Sequence, residues 1–193
     1  MKKSLLSITL ALLAASGAQA QVGPNKPVGF VGGFGLTGGG EKLITVEYTN
    51  GDNQDVRSGG LVHFYGGVEF AVAPLVTMQA TVGYHVDNVS ARNGDAKFER
   101  FPFEFLAHYE ISPQFRLGGG LRYVTSSKLS GDGAAEFPTI EFKSHAGAVI
   151  EGEYLFSPHF GAKLRFVSEK YKPEFGGSSV SGDHVGLYAT FHF

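Results

Sequence analysis

Arg100-Phe101-Pro102-Phe103-Glu104-Phe105-Leu106-Ala107-His108-Tyr109-Glu110-Ile111 is the stretch whose reading decides the fold. Phe101, Phe103, Phe105, Ala107, Tyr109 and Ile111 recur at every second position, and Arg100, Pro102, Glu104, Leu106, His108 and Glu110 fill the alternate ones. A period of two is that of an extended strand, whose successive side chains point to opposite faces. One face is therefore apolar and largely aromatic, and the other carries charge. Two further segments repeat the pattern. Ile140, Phe142, Ala146, Ala148, Ile150, Tyr154 and Phe156 alternate with Glu141, Lys143, His145, Glu151 and Glu153; Val185, Leu187, Ala189, Phe191 and Phe193 alternate with His184, Gly186, Tyr188, Thr190 and His192.

Working outward, three segments resemble one another: Phe70-Ala71-Val72-Ala73-Pro74-Leu75, Tyr109-Glu110-Ile111-Ser112-Pro113-Gln114 and Tyr154-Leu155-Phe156-Ser157-Pro158-His159. Proline has no N–H to give to a ladder, so each marks a turn between strands. The other connections are longer and polar, at Asn50-Gly51, Asn93-Gly94 and near 127–138 and 172–182. Eight strands follow, over 28–49, 52–72, 76–89, 98–111, 115–126, 139–156, 160–171 and 183–193. Gly38-Gly39-Gly40 is expected to hold a bulge, since without a one-residue slip the first two strands would place opposite faces together. Short turns alternating with longer polar loops predict an all-β fold: a single eight-stranded antiparallel up-and-down transmembrane β-barrel with Pro-marked periplasmic turns and longer extracellular loops. A soluble β-sandwich also alternates, but it does not call for an aromatic apolar face opposed by complementary charges.

Centring each short turn on its proline sets the register. Glu110 then faces Arg116 and Glu104 faces Arg122 across Pro113, Glu153 faces Lys163 and Glu151 faces Arg165 across Pro158, and His63 faces His85 across Pro74. A two-residue turn at Asn93-Gly94 sets Asp87 opposite Arg100 and Val76 opposite Ile111. The expectation is a lumen crossed by four ion pairs: Glu104–Arg122, Glu110–Arg116, Glu151–Arg165 and Glu153–Lys163. Inside a narrow barrel such charges must be paired or solvated, and eight strands leave an interior that side chains just fill.

The N-terminus reads as an address. Lys2 and Lys3 precede an apolar run from Leu5 to Ala15, and Ala18-Gln19-Ala20 supplies a small-x-small cleavage site, so residues 1–20 are expected to be a signal peptide and 21–193 the barrel domain. No cysteine is present, which removes disulfides and a lipid-modified cysteine as sources of stability. Without Lys2 and Lys3 the 16 basic residues become 14 against 18 acidic ones, a net charge of −4, and no nucleic-acid partner is expected. Twenty-eight glycines and 17 phenylalanines suit short strands and tight turns.

The Gly-rich first strand Phe30-Val31-Gly32-Gly33-Phe34-Gly35, the Pro-marked turns and the terminal Phe193, with Phe191 before it, together resemble the small outer-membrane β-barrel superfamily that includes OmpX, OmpW and the OmpA transmembrane domain. The resemblance covers residues 27–193 in architecture. It implies location in the bacterial outer membrane, contact with outer-membrane lipids and lipopolysaccharide, and Phe193 with Phe191 as a signal read by the assembly machinery. It is a poor guide to activity.

Gly33-Phe34-Gly35-Leu36-Thr37-Gly38 matches G-x-G-x-x-G, but it lies within a strand rather than opening a helix, so it is no dinucleotide site. His63, His85, His145 and His184 all fall on expected lumen faces toward the extracellular end. Clustered imidazoles can bind a transition metal or titrate near neutral pH; the plainer reading is that they fill a polar lumen, and neither metal nor cofactor is assigned. Ser144 and His145 would point to opposite faces of a strand and match no hydrolase motif. The functional expectation is a monomeric outer-membrane barrel with a structural or surface-interaction role and a closed lumen. The alternatives are a narrow channel or small-ligand passage resembling OmpW and, third, a lipid A-modifying enzyme.

Overall fold

The structure, a computed structural model, describes residues 28–47, 53–90, 94–133, 136–143 and 145–193. The expected signal peptide at 1–20, the tips at Asn50-Gly51 and Asn93, and Ser144 lie outside the described residues. Thirteen strand segments run in chain order: β1 (Val28–Gly39), β2 (Lys42–Glu47), β3 (Asn53–Arg57), β4 (Leu61–Ala73), β5 (Val76–Ser90), β6 (Gly94–Ser112), β7 (Phe115–Gly133), β8 (Phe137–Lys143), β9 (Ala146–Ser157), β10 (Phe160–Ser168), β11 (Lys170–Pro173), β12 (Val180–Ser181) and β13 (His184–His192). Eight of them, β1-β4-β5-β6-β7-β9-β10-β13, pair antiparallel in that order, and β13 pairs back onto β1. The sheet is a closed up-and-down barrel. Closure leaves no unpaired strand edge, which is the condition for backbone to cross hydrocarbon.

The burial pattern is the reverse of a water-soluble protein. Phe103 is 51% exposed and Glu104 beside it only 5%; the apolar stripe looks out and the charged stripe looks in. Charges collected inside and phenylalanines left outside are stable only if the outside is lipid.

At the periplasmic end the prolines sit in two-residue turns. Ser112 Oγ accepts hydrogen bonds from the amides of Gln114 (3.4 Å) and Phe115 (3.1 Å), and Ser157 Oγ from that of His159 (3.3 Å). A seryl oxygen ahead of a proline with φ already set for the turn explains the repeated Ser-Pro. The ladder follows the proline-centred register, with Glu104 opposite Arg122, Glu151 opposite Arg165 and His63 opposite His85.

The other end departs from the expected pattern. β6 and β7 are 19 residues each and run through much of the segment read as loop, whereas a transmembrane strand needs only about 9–11 residues. The surplus, with the β2–β3 hairpin, β8, β11 and β12, forms a β-structured head beyond the membrane. Val56, Phe98, Leu129, Phe142 and Tyr171 are buried together inside it. Its hairpin charges are neutralised locally: Thr45 Oγ1 donates to Asp55 at 2.7 Å and Lys42 lies 3.2 Å away, which holds the Asp55 carboxyl below its ordinary value.

Two register expectations and one strand boundary are corrected here. The turn near Asn93-Gly94 is offset by two residues, so His85 faces Arg100, Asp87 faces Phe98 and Val76 faces Tyr109; a two-residue offset preserves which face each side chain occupies. The strand expected at 139–156 is broken between Lys143 and Ala146, and β7 slips its register with β6 at the same level, around Val124–Ser127. The break turns Phe142 inward and Glu141 and Lys143 outward, opposite to a continuous alternation. Finally, β1 ends where Gly39 and Gly40 adopt φ of 132° and 72°, a region L side chains avoid, and a Cβ on Gly40 would strike Ser58 and the Gly59 amide.

Candidate functional site: the charged lumen

Alternation on β4, β6, β7, β9 and β10 sends every second side chain into the barrel, and closure brings those stripes within reach of one another. The result is one alternating chain of anions and cations. Glu169 accepts from Arg122 Nε (2.9 Å), Arg122 Nη1 donates to Glu104 (2.6 Å), and Glu104 accepts from Arg165 Nη2 (2.6 Å). Arg165 Nε donates to Glu151 (2.8 Å), which also accepts from Lys163 Nζ (2.7 Å). Lys163 lies 3.9 Å from Glu153, Glu153 accepts from Arg116 Nε (2.6 Å), and Arg116 reaches Glu69 at 3.5 Å. Every member is 5% exposed or less. Buried ions survive only when each is paired and hydrogen-bonded, and the bridging acids Glu104, Glu151 and Glu153 each meet more than one cation.

The chain is closed at both ends by polar neighbours. Tyr171 donates its hydroxyl to Glu169 (2.7 Å), and Gln79 donates to Glu69 (2.9 Å). His192 places one ring nitrogen 2.9 Å from Glu69 and the other 3.0 Å from Glu153, while His108 lies 2.6 Å from Glu151. Below Arg116 the lumen widens into a cavity of about 450 Å³, lined by Glu69, Glu110, Arg116 and His192 and by the Ser-Pro turns. Above Arg122 lie the histidines and then the apolar cluster of the head.

The structure places the sequence-predicted residues as follows. Glu104 with Arg122 and Glu151 with Arg165 are direct ion pairs; Glu153 and Lys163 face each other in register, but Lys163 is nearer Glu151. Glu110 and Arg116 are register partners without forming an ion pair. The reason is a register shift between Glu110 and Ser112, which leaves Glu110 half-buried at the wet periplasmic mouth, while Arg116 turns inward to Glu153 and Glu69.

His63, His85 and His184 come together: the first two rings stack with centroids 4.9 Å apart, and His85 meets His184 edge-on at 5.0 Å. His145 does not join them. The β8–β9 break leaves it half-buried at the wall, with Nδ1 2.9 Å from the Lys143 carbonyl. Thr37 lies 2.8 Å from His85 and Tyr188 3.0 Å from His63, and among the described residues no His, Cys, Asp or Glu group is arranged to hold a metal ion. Phe191 stacks on Phe34 and meets Phe160 at a tilt, and Phe193 exchanges backbone hydrogen bonds with Phe30 (2.9 and 3.1 Å), zipping the last strand to the first.

Sequence reasoning missed Glu69 and Glu169, which anchor the two ends of the ion chain, and it gave no role to His192 and His108. The signal was present in the alternation, since Glu69 is in phase with His63 and Glu169 with Arg165. Their partners, Arg116 and Arg122, lie across the lumen rather than across a turn.

The geometry of a closed, lipid-facing sheet with a charged lumen has a counterpart in known proteins. Residues 7–193 match the family described as outer membrane protein beta-barrel domain. The chain belongs to that family. Its place is therefore the outer membrane. No curated protein matches the sequence. Among solved structures it resembles Ail, the attachment invasion locus protein of Yersinia pestis, crystallised with the heparin analogue sucrose octasulfate (TM-score 0.56, 10% identity, 86% of this chain and 97% of that one). It also resembles Neisserial surface protein A (TM-score 0.53, 9% identity, 86% and 97%). At such identities the likeness is one of fold.

Proposed function

We propose that this barrel is a non-conducting outer-membrane protein whose working part is its extracellular head, in a structural or surface-interaction role. The carrying observation is the ion chain from Glu169 to Glu69, whose members are all 5% exposed or less and span the lumen between the head and the periplasmic cavity. A conducting pore would need a continuous file of water where these side chains bond to each other. Capping supports the same reading, because Phe98, Phe142 and Tyr171 pack edge-to-face directly beyond the charges. A rigid head raised on long strands suits contact with other molecules, and the sulfated sugar held by Ail is an instance in a barrel of this fold. The same reading takes residues 1–20 as the export signal, Phe193 with Phe191 as the assembly signal, and the barrel as a monomer among outer-membrane lipids.

Planar-bilayer recording of the refolded protein tests it. The expected trace has no stable unit conductance, and a reproducible single-channel step would overturn the closed-lumen reading in favour of a passage.

A further inference from the structure

Two faults in the sheet fall side by side. β7 pairs with β9 as far as Tyr123 opposite Ala146, and with β8 from Ser127 opposite Phe142. Between those pairs the ladder is interrupted, and a 3.4 Å bond from the Val124 amide to the His145 carbonyl crosses the gap. The slip of β7 against β6 lies at the same level. Together they open a notch of about 210 Å³ where the barrel wall passes into the head. Irregularities of this kind re-aim side chains and gather beside sites. Here they set three successive hydroxyls, Thr125, Ser126 and Ser127, against Lys128, Glu141 and Glu174.

Ser127 says what chemistry the notch takes. It is 2% exposed, and among the described residues its Oγ meets no hydrogen-bond partner. A buried hydroxyl costs free energy unless something pairs with it, so the floor calls for a polar guest. Thr125 donates to the Phe101 carbonyl at 3.2 Å, which ties the lower lip to the aromatic girdle where Phe101 meets Tyr84 at 5.2 Å. At the upper lip Lys128 bonds Glu141 at 2.7 Å, and the Glu174 amide donates to the Glu141 carbonyl at 3.0 Å, bringing a second acid to the rim. These groups turn most guests away. An anion would face two carboxylates, a cation would face Lys128, and an apolar ring would leave Ser127 unpaired. A guest whose adjacent groups each donate and accept satisfies all of them, and the neighbouring hydroxyls of an uncharged sugar do so. The volume suits one sugar ring, since sites for drug-sized ligands begin at about 300 Å³. Glu141 and Glu174 also repel the phosphates of the leaflet below, so the sugar comes from outside the membrane.

We propose that this notch binds one uncharged sugar residue of an external glycan, with Ser127 Oγ bonding a hydroxyl from the floor and Lys128, Glu141 and Glu174 bonding its neighbours at the rim. The proposal rests on the surface-interaction reading and not on the closed lumen: a single-channel step would leave it standing, and an absence of sugar binding would leave the lumen closed. Saturation-transfer NMR of the refolded full-length barrel, in a detergent without sugar headgroups, tests it with the methyl glycosides of glucose, galactose, mannose and N-acetylglucosamine. At least one is expected to bind saturably. S127A is expected to weaken that binding about fivefold, as the loss of one hydrogen bond does. E174A, at the exposed rim, is expected to weaken it as well and serves should S127A fail to fold; K170S, on the head but outside the notch, is expected to bind as wild type. All three are checked for heat-modifiable mobility. Sucrose octasulfate is expected not to compete, and added rough lipopolysaccharide is expected to leave the binding in place. No saturable signal from any of the four glycosides, unchanged binding by folded S127A and E174A, competition by the octasulfate, or loss of binding to the lipopolysaccharide would each overturn the proposal.

Discussion

Arg122→Met is the most informative single change in the lumen. Arg122 is fully buried and joins two carboxylates, Glu104 at 2.6 Å and Glu169 at 2.9 Å. Methionine keeps much of the volume and removes the charge. Glu104 retains Arg165 at 2.6 Å, so its loss is partial. Glu169 retains the Tyr171 hydroxyl at 2.7 Å, a more distant His184 at 3.7 Å and the field of the buried Arg100, with no cation hydrogen-bonded to it among the described residues. One acid is therefore left nearly unpaired in a dry site, and removing one partner of a buried pair costs about 3–5 kcal/mol. With Glu104 still paired, the lower end applies: about 3 kcal/mol, or roughly 6–12 °C in Tm for a chain of this size. Urea unfolding of the vesicle-inserted barrel, read by tryptophan-free far-UV circular dichroism and by heat-modifiable mobility, measures it. The double variant Arg122→Met/Glu169→Gln removes the stranded charge and is expected to recover at least half of the loss. A single-variant loss below about 1 kcal/mol, the level of an exposed pair, would refute the reasoning, as would a double variant no more stable than the single.

Two contrasts extend this. Glu110→Gln is expected to change stability by no more than about 0.5 kcal/mol, as for a surface site, whereas Glu153→Gln, which strips Arg116 of its 2.6 Å partner, is expected to cost about 3 kcal/mol; equal effects in the same urea titration would show that the register shift does not separate their roles. Phe142→Ala is expected to cost about 3–5 kcal/mol of head stability, as a buried aromatic truncation does. That loss should appear as faster hydrogen exchange in β8 and β11, with the membrane-spanning strands unchanged; slow exchange in both would refute a packed head.

The membrane-spanning part of this protein was legible because its determinants are local. A period of two needs only neighbouring residues to be read, and a proline forbids a ladder hydrogen bond wherever it stands. Those two facts were enough for strand number, the inward charged face and the register across Pro74, Pro113 and Pro158. The sequence alone therefore carried the closed barrel, its location, and the pairs Glu104–Arg122 and Glu151–Arg165, whose partners are joined by a short turn.

What only the tertiary structure decided lies at the two ends and across the middle. A break of phase at Lys143–Ala146 is compensated by a slip in β7, and nothing local announces either, so Phe142 and Glu141 exchanged faces and His145 left the histidine cluster. Segments read as polar loops carry enough inward apolar residues to form a core once β6, β7, β8 and β11 stand together. Arg122–Glu169 and Arg116–Glu69 each join residues 47 positions apart, on strands that become neighbours across the lumen only when the sheet closes. Which cation meets which acid there is set by barrel tilt and stagger, quantities that belong to the whole ring and to no single strand.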